Sequence, residues 1–105
     1  MRIEIKTKNF DLTEAIRIFV EKKILAIEKL IIDFEKNTEI LVRVEVGKIT
    51  QHHYKGDVFR AEINLDLPNK LLRAETQAKN LNSAVVEAKK ILERQIVDYK
   101  EKFKR

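Results

Sequence analysis

A chain of 105 residues is long enough to build one hydrophobic core but too short for two independent ones, so we expect a single domain over residues 1–105. Its 44% of hydrophobic and 37% of charged residues are typical of a folded protein, and the absence of cysteine excludes disulfides, thiolate metal sites and cysteine nucleophiles. The net charge is +5, and no stretch has the ~18 uncharged apolar residues of a membrane span or the apolar core of a signal peptide, so we expect a cytoplasmic protein.

The N-terminal third predicts a strand followed by a helix. Residues 2–7 alternate between apolar and polar side chains, which is the period of a half-buried strand. Asp11 or Thr13 can cap a helix that extends from about residue 13 to residue 34. Its apolar residues recur every three or four positions and form one stripe, which comprises Ile16, Val20, Ile24, Ile27, Ile31 and Phe34.

Two further strands are predicted in the middle of the chain. Apolar and polar side chains alternate over residues 39–46, where Gly47 is expected to end the strand, and they alternate again over residues 57–66. The segment 48–56 between them has no periodicity, so we interpret it as an exposed loop.

A hairpin and a second helix complete the prediction. Pro68 and Asn69 are typical of a tight turn, so a fourth strand at 71–76 should fold back on the third. Asn80 can cap a helix that continues nearly to the C-terminus. Its apolar stripe comprises Leu81, Val85, Ala88, Leu92, Ile96, Tyr99 and Phe103.

These elements predict an α+β fold of order β-α-β-β-β-α. Each helix has one apolar stripe, and both stripes are buried most simply when the helices pack side by side on one face of a four-stranded mixed sheet. A helix joins the first two strands, so these should be parallel, and the other pairs should be antiparallel. The opposite face is expected to meet water, because it carries mixed charges: Arg43, Glu45, Arg60, Glu62, Arg73 and Glu75.

The positive charge is concentrated at the C-terminal end. Residues 89–105 hold seven Lys and Arg against three Asp and Glu, which is +4 of the net +5. Such asymmetry suggests an anionic partner, and nucleic acid is the commonest in the cytoplasm. The other interpretation is a solvated lysine-rich helix end that complements the helix dipole, and charge alone leaves both open.

No residue pattern indicates an enzyme. Ser83 is the only serine and has no base near it in the sequence, and Gly47 and Gly56 are too few for a phosphate-binding loop. His52 and His53 are a possible metal pair, but neighbours in a loop rarely converge on one ion and no third ligand has the usual spacing. We therefore expect no catalysis, metal, cofactor or small-molecule substrate, and leave the role of the two histidines open.

Cations on the outer surfaces of the two helices are the candidate binding residues. Helices packed side by side would join these cations into one field that suits phosphate groups, with strong salt dependence and little sequence specificity. Charge and helical geometry alone select four lysines, which are Lys22, Lys79, Lys89 and Lys90.

Three segments resemble a known family. The first is Leu12-Thr13-Glu14-Ala15-Ile16-Arg17 with Val20 and residues 23–30, and the second is the stretch from His53-Tyr54-Lys55-Gly56-Asp57 to Leu72-Arg73-Ala74-Glu75. The third is Leu92-Glu93-Arg94-Gln95-Ile96 with Lys100, Lys102 and Lys104. Together they resemble the ribosome hibernation promoting factors, which are also called ribosome-associated inhibitors or subunit-interface proteins. The resemblance covers essentially the whole chain and implies the same β-α-β-β-β-α fold.

The resemblance also implies a function. Proteins of this family bind the small ribosomal subunit and its rRNA in the channel between head and body, overlap messenger and transfer RNA positions, block translation and stabilise idle ribosomes. Because the chain ends at Arg105, it resembles the short form, which lacks the C-terminal dimerisation domain, and we expect a monomer off the ribosome. The resemblance adds five residues to the candidate RNA-binding set: Lys23, Arg94, Lys100, Lys102 and Lys104. Two of them on the second helix, Arg94 and Lys100, are expected to be exposed.

Two other classes of protein remain as alternatives. A double-stranded-RNA-binding domain has a similar element order but fewer strands, and it holds phosphates with a lysine cluster at the start of its last helix, where this chain has Asn80, Asn82 and Ser83. A protein-interaction module could dimerise through the exposed sheet face, although alternating charges there disfavour a dry interface.

Overall fold

Four strands form one mixed sheet in the computed structural model, which describes residues 1–49, 56 and 58–103. In sequence order they are β1 (Arg2–Lys8), β2 (Leu41–Ile49), β3 (Val58–Leu67) and β4 (Lys70–Ala78), and they lie in the same order across the sheet. β1 pairs with β2 in parallel, whereas β2 with β3 and β3 with β4 are antiparallel. The predicted sheet and its strand directions are confirmed.

Three helices cover one face of this sheet: α1 (Glu14–Leu25), α2 (Glu28–Ile31) and α3 (Leu81–Phe103), with a 3-10 turn at Phe34–Lys36. The prediction of one continuous helix over residues 13–34 is therefore wrong, because the helix is interrupted between α1 and α2. The apolar stripe nevertheless continues through the interruption, since Ile24, Ile27 and Ile31 are all fully buried. The α+β class and the order β-α-β-β-β-α hold.

Side-chain caps fix the starts of both long helices. The Thr13 hydroxyl accepts a hydrogen bond from the backbone N–H of Ile16 at 3.2 Å, so Thr13 rather than Asp11 caps α1. The Asn80 side-chain oxygen accepts from the N–H of Ser83 at 2.7 Å and caps α3, as predicted. Each cap satisfies an amide that has no partner inside its helix.

The core lies between the helices and the inner face of the sheet. Alternate residues of β2 and β3 and the stripes of α1 and α3 supply it, and all buried residues among those described are hydrophobic or glycine. The helical contribution is Val20, Ile24, Ile27, Ile31, Ala84, Val85, Ala88, Leu92 and Ile96. Such close burial fixes both helices on the sheet, so their outer faces have defined directions.

Of two predictions made from turn-forming residues, one is wrong and the other is confirmed. Gly47 was predicted to end the second strand, but β2 continues to Ile49, because Gly47 is paired with Lys8 on one side and Arg60 on the other. The Pro68-Asn69 turn is confirmed: Leu67 pairs with Lys70, and Asn69 has a φ of 66°, as the third residue of a type II turn requires.

The loop prediction for residues 48–56 can be compared only in part. Lys48 and Ile49 belong to β2, whereas His52 and His53 lie outside the described residues. Among the described residues, no helix is long and apolar enough to cross a membrane.

Candidate RNA-binding surface

The helices α1 and α3 lie side by side and run parallel. At one end, Ala15 and Ile16 of α1 lie close to Leu81 and Asn82 of α3, around a shared cavity. At the other end, α2 contacts the C-terminal part of α3, where Lys100 donates to the backbone of α2. Both helices rise ~1.5 Å per residue. Two residues that follow the first contact by the same number of positions, one on each helix, therefore lie at the same height along the helix axes.

Five of the predicted cations are exposed and form no ion pair among the described residues. They are Lys22, Lys79, Lys90, Arg94 and Lys102. Lys90 and Arg94 are four residues apart on the outer face of α3, so they lie one above the other. Lys22 is on the corresponding outer face of α1, opposite to the buried side of that helix. These cations are available to an anionic partner.

Three other predicted residues are half-buried and have partners. The Lys23 ammonium lies over the Phe19 ring, 5.8 Å from its centre, and Lys89 pairs with Glu93 at 3.7 Å. The Lys100 ammonium donates a 2.9 Å hydrogen bond to the carbonyl oxygen of Leu30. The expectation that Lys100 is exposed is therefore wrong, because this side chain turns inward to α2.

The predicted RNA-binding residues do not all lie on one continuous surface. Lys23 and Lys89 flank the groove between α1 and α3 at about the same level, since each is seven or eight residues past the first contact between the helices. Lys102 is two residues past Lys100, about 200° around the helix, so it lies on the flank of α3 away from α2. Lys104 lies outside the described residues.

On the opposite face of the sheet, the arginines at the centre are paired with carboxylates. Arg60 contacts three carboxylates from three strands: Glu75 at 2.8 Å, Glu62 on its own strand, and Glu45 at 3.3 Å. Its pKa is raised, above all by the hydrogen bond to Glu75. Cation and carboxylates compensate one another at this point of the sheet.

Neighbouring residues extend this network. Arg73 pairs with Glu62 at 3.2 Å and with Glu75 at 3.1 Å, and Arg43 pairs with Asp66 at 3.3 Å. The pKa of Glu62 is lowered, first by the hydrogen bond from Asn64 and then by the two arginines. Hydrogen bonding to Arg60 likewise lowers the pKa of Glu75. The arginines that the sequence placed on this face are thus engaged with carboxylates.

The structure also shows a concave feature that the sequence analysis did not identify. A cavity of about 290 Å³ lies between the first turns of α1 and α3, and its lining is mostly apolar: Ala15, Ile16, Phe19, Leu81 and Asn82. In the sequence, the cavity could have been indicated by Phe19, a large aromatic residue directly before Val20 of the apolar stripe. Among the described residues, no group of three or more His, Cys, Asp or Glu could hold a metal ion.

A family model and curated proteins match this chain over nearly its whole length. The family model described as "Sigma 54 modulation protein / S30EA ribosomal protein" matches residues 3–104. The ribosome hibernation promotion factor of Lactococcus lactis subsp. cremoris is 30% identical over 105 residues, which are 100% of this chain and 52% of that protein. The protein of the same name from Staphylococcus aureus is also 30% identical, over 51% of its length. The chain thus spans about half the length of these curated relatives.

A solved structure matches along nearly its whole length. The N-terminal domain of Thermus thermophilus Protein Y superposes with a TM-score of 0.75 at 29% identity, covering 94% of this chain and 99% of that one. A ribosomal subunit interface protein from Coxiella burnetii has the same fold, with a TM-score of 0.75 at 22% identity, covering 96% of this chain and 99% of that one.

Proposed function

The chain belongs to the Sigma 54 modulation protein / S30EA ribosomal protein family, and from this premise we propose that it binds ribosomes in the cytoplasm and inhibits translation while they are idle. Its relatives from Lactococcus lactis and Staphylococcus aureus carry the name ribosome hibernation promotion factor. The proposed activity is binding and exclusion, without a chemical reaction.

This proposal rests on a difference between the arginines at the centre of the sheet face, which are paired, and three cations of the helix face, which are not. On the sheet face, Arg43, Arg60 and Arg73 are all bound to carboxylates. On the helix face, Lys22, Lys90 and Arg94 are exposed and have no ion pair within the described part of the chain. Phosphate contact by uncompensated cations releases counterions and drives binding to RNA, so the helix face is the proposed contact surface.

The finer proposal is that the partner is the small subunit and its rRNA, in the channel used by messenger and transfer RNA. Its binding residues would be the exposed Lys22, Lys79, Lys90, Arg94 and Lys102, together with Lys23, Lys89, Lys100 and Lys104. Of these, Lys89 and Lys100 would first have to give up their present partners, Glu93 and the Leu30 carbonyl. We therefore assign the larger share of affinity to the exposed residues. Residues 1–105 would act as a single domain.

A gradient experiment tests the proposal. The protein is mixed with purified small subunits, large subunits and whole ribosomes of its own organism at low salt and centrifuged through sucrose. We expect it to migrate with small subunits and whole ribosomes and to dissociate as salt rises. A folded protein that stays at the top of every gradient would refute ribosome binding.

A competition experiment tests the position. Small subunits that already hold messenger RNA and transfer RNA should bind the protein much more weakly than vacant subunits, and prebound protein should lower the synthesis of a reporter. Equal binding to vacant and filled subunits would exclude the channel and leave only ribosome association.

A further inference from the structure

The cavity between the first turns of α1 and α3 has a chemistry that phosphate contact does not use. Its walls are Ala15, Ile16, Phe19 and Leu81, and the single polar side chain in the lining is that of Asn82. Phe19 and Leu81 are half-buried, and Asn82 is exposed at the rim. A planar apolar group could enter this cavity and present a polar edge to the amide.

The charges around the cavity select the kind of occupant. The Lys23 ammonium lies over the Phe19 ring, so a fixed cation stands at one wall. Lys22 adjoins it on α1, and Lys79 precedes α3 at the same end, both exposed. Glu14, the acidic residue in the first turn of α1, is five residues before Phe19, which places it about 140° away on the other flank of the helix. The surroundings thus favour an apolar ring attached to an anionic chain.

A nucleobase of single-stranded RNA has this combination of a flat apolar face, a hydrogen-bonding edge and flanking phosphates. Proteins commonly bind such unstacked bases on aromatic side chains, and cations hold the adjoining backbone. The cavity is shallow and opens widely to solvent, so it suits one flat ring lying against its apolar wall better than a larger, enclosed ligand.

We propose that this cavity accepts one unstacked base of ribosomal RNA, which lies on Phe19 and bonds to the Asn82 amide while Lys22 and Lys79 hold the neighbouring phosphates. The inference rests on the proposed ribosome binding and adds to it a contact with a base. Unlike the lysine contacts, a stacked base contributes affinity that does not depend on counterion release.

The test measures the affinity for purified vacant small subunits over a range of salt concentrations. Phe19→Leu keeps an apolar side chain but removes the ring, and we expect binding to weaken by about ten-fold with an unchanged salt dependence. Phe19→Tyr keeps the ring and should bind like the wild type. Phe34→Leu is the matched control: it removes another ring, stacked on Tyr99 at the opposite end of the helices, and should leave affinity unchanged.

A second variant keeps the test decisive if Phe19→Leu unfolds the protein. Ala15 is exposed in the first turn of α1, so Ala15→Leu fills the cavity without disturbing the core and should weaken binding as Phe19→Leu does. Dimethyl sulfate probing of the bound subunit should reveal a base whose reactivity changes with the wild type but not with Ala15→Leu.

The outcomes separate the two proposals. If the wild type does not bind small subunits, the proposed function fails. If the wild type binds and Ala15→Leu binds equally well, the base site alone is rejected. A weaker Phe19→Leu with a shallower salt dependence also rejects it, since the ring would then act only by positioning Lys23. A wild-type dimer that Ala15→Leu dissociates would assign the cavity to a second copy and overturn the inference.

Discussion

The ammonium nitrogen of Lys100 lies 2.9 Å from the carbonyl oxygen of Leu30 and thereby joins the C-terminal part of α3 to α2. Leu30 is in a helix of only four residues, Glu28–Ile31, whose last carbonyls have no partner within the helix. A lysine at this point satisfies one of them and also suits the negative end of the helix dipole. Lys100 therefore stabilises the interrupted helical segment in addition to any contact with RNA.

Lys100→Met tests this structural role. The variant keeps most of the aliphatic packing but loses the hydrogen bond, so the free energy of unfolding should fall by about 1 kcal/mol. Urea denaturation measures the change. Lys102→Met is the control, because Lys102 is exposed two residues away, and its effect should stay within about 0.5 kcal/mol. Equal effects of the two substitutions would contradict the role of Lys100.

Lys90→Gln combined with Arg94→Gln tests the helix face as the RNA contact. Both side chains are exposed on α3, so stability should be retained while affinity for small subunits falls by about ten-fold near 0.1 M salt. The slope of log affinity against log salt should decrease by about two, one for each lost phosphate contact.

The matched control for that pair is Lys6→Gln combined with Lys8→Gln. It removes the same charge from exposed positions of β1 and should have a much smaller effect on affinity and slope. If the control weakens binding as much as the α3 pair does, the RNA contacts the sheet face instead.

The ion pairs around Arg60 predict how stability responds to acid. The pKa values of Glu62 and Glu75 are lower in the folded protein than their ordinary value of 4.5. Below pH 4.5 the unfolded chain therefore binds more protons than the folded one, and acid favours unfolding. The stabilisation is present above the ordinary value and is lost as pH falls through the lowered values.

Arg60→Gln should reduce this pH dependence. Urea denaturation between about pH 6 and pH 3 should show a smaller loss of stability for the variant than for the wild type, because the carboxyls lose their main cationic partner. Arg2→Gln is the control, since Arg2 contacts Glu4 at 3.5 Å at the edge of the sheet, and it should keep the wild-type profile. An unaltered profile in Arg60→Gln would show that other carboxyls govern the acid response.

Asn69 tests the turn between β3 and β4. Its φ of 66° is accessible to asparagine and glycine, but a β-branched residue is strained there. Asn69→Gly should leave the melting temperature nearly unchanged, whereas Asn69→Val should destabilise the protein by about 1–2 kcal/mol. Thermal unfolding by circular dichroism compares the two, and equal melting temperatures would show that the turn does not require a positive φ.

Hydrophobic periodicity predicted the elements that share one direction of burial. It identified the four strands and α3 and placed both helices on one face, because each buried stripe follows the period of its own element. It could not detect the interruption after Leu25, since Ile24, Ile27 and Ile31 keep the spacing of a continuous helix. The short helix that follows the interruption is held by a remote residue, since Lys100 donates to the Leu30 carbonyl, and no local pattern contains this contact.

Gly47 and the candidate site show the same limit. Glycine is a signal for the end of a strand, but pairing with strands on both sides keeps Gly47 inside β2. Helical geometry predicted that Lys90 and Arg94 lie on one exposed face. The inward turn of Lys100 and the cavity beside Phe19 depend on how two helices meet, which a single helix cannot reveal.

The compensation of Arg60 by three carboxylates has a kinetic consequence. The carboxylates offset the charge of Arg60, whereas Lys22, Lys90 and Arg94 on the helices keep theirs, so a polyanion is attracted more strongly to these helix cations than to the centre of the sheet. A polyanion would orient the protein before contact, so that most encounters begin with the productive side forward. Higher ionic strength should therefore slow association more than it speeds dissociation. The ion pairs of Arg60 thus also affect the orientation in which the protein approaches its partner.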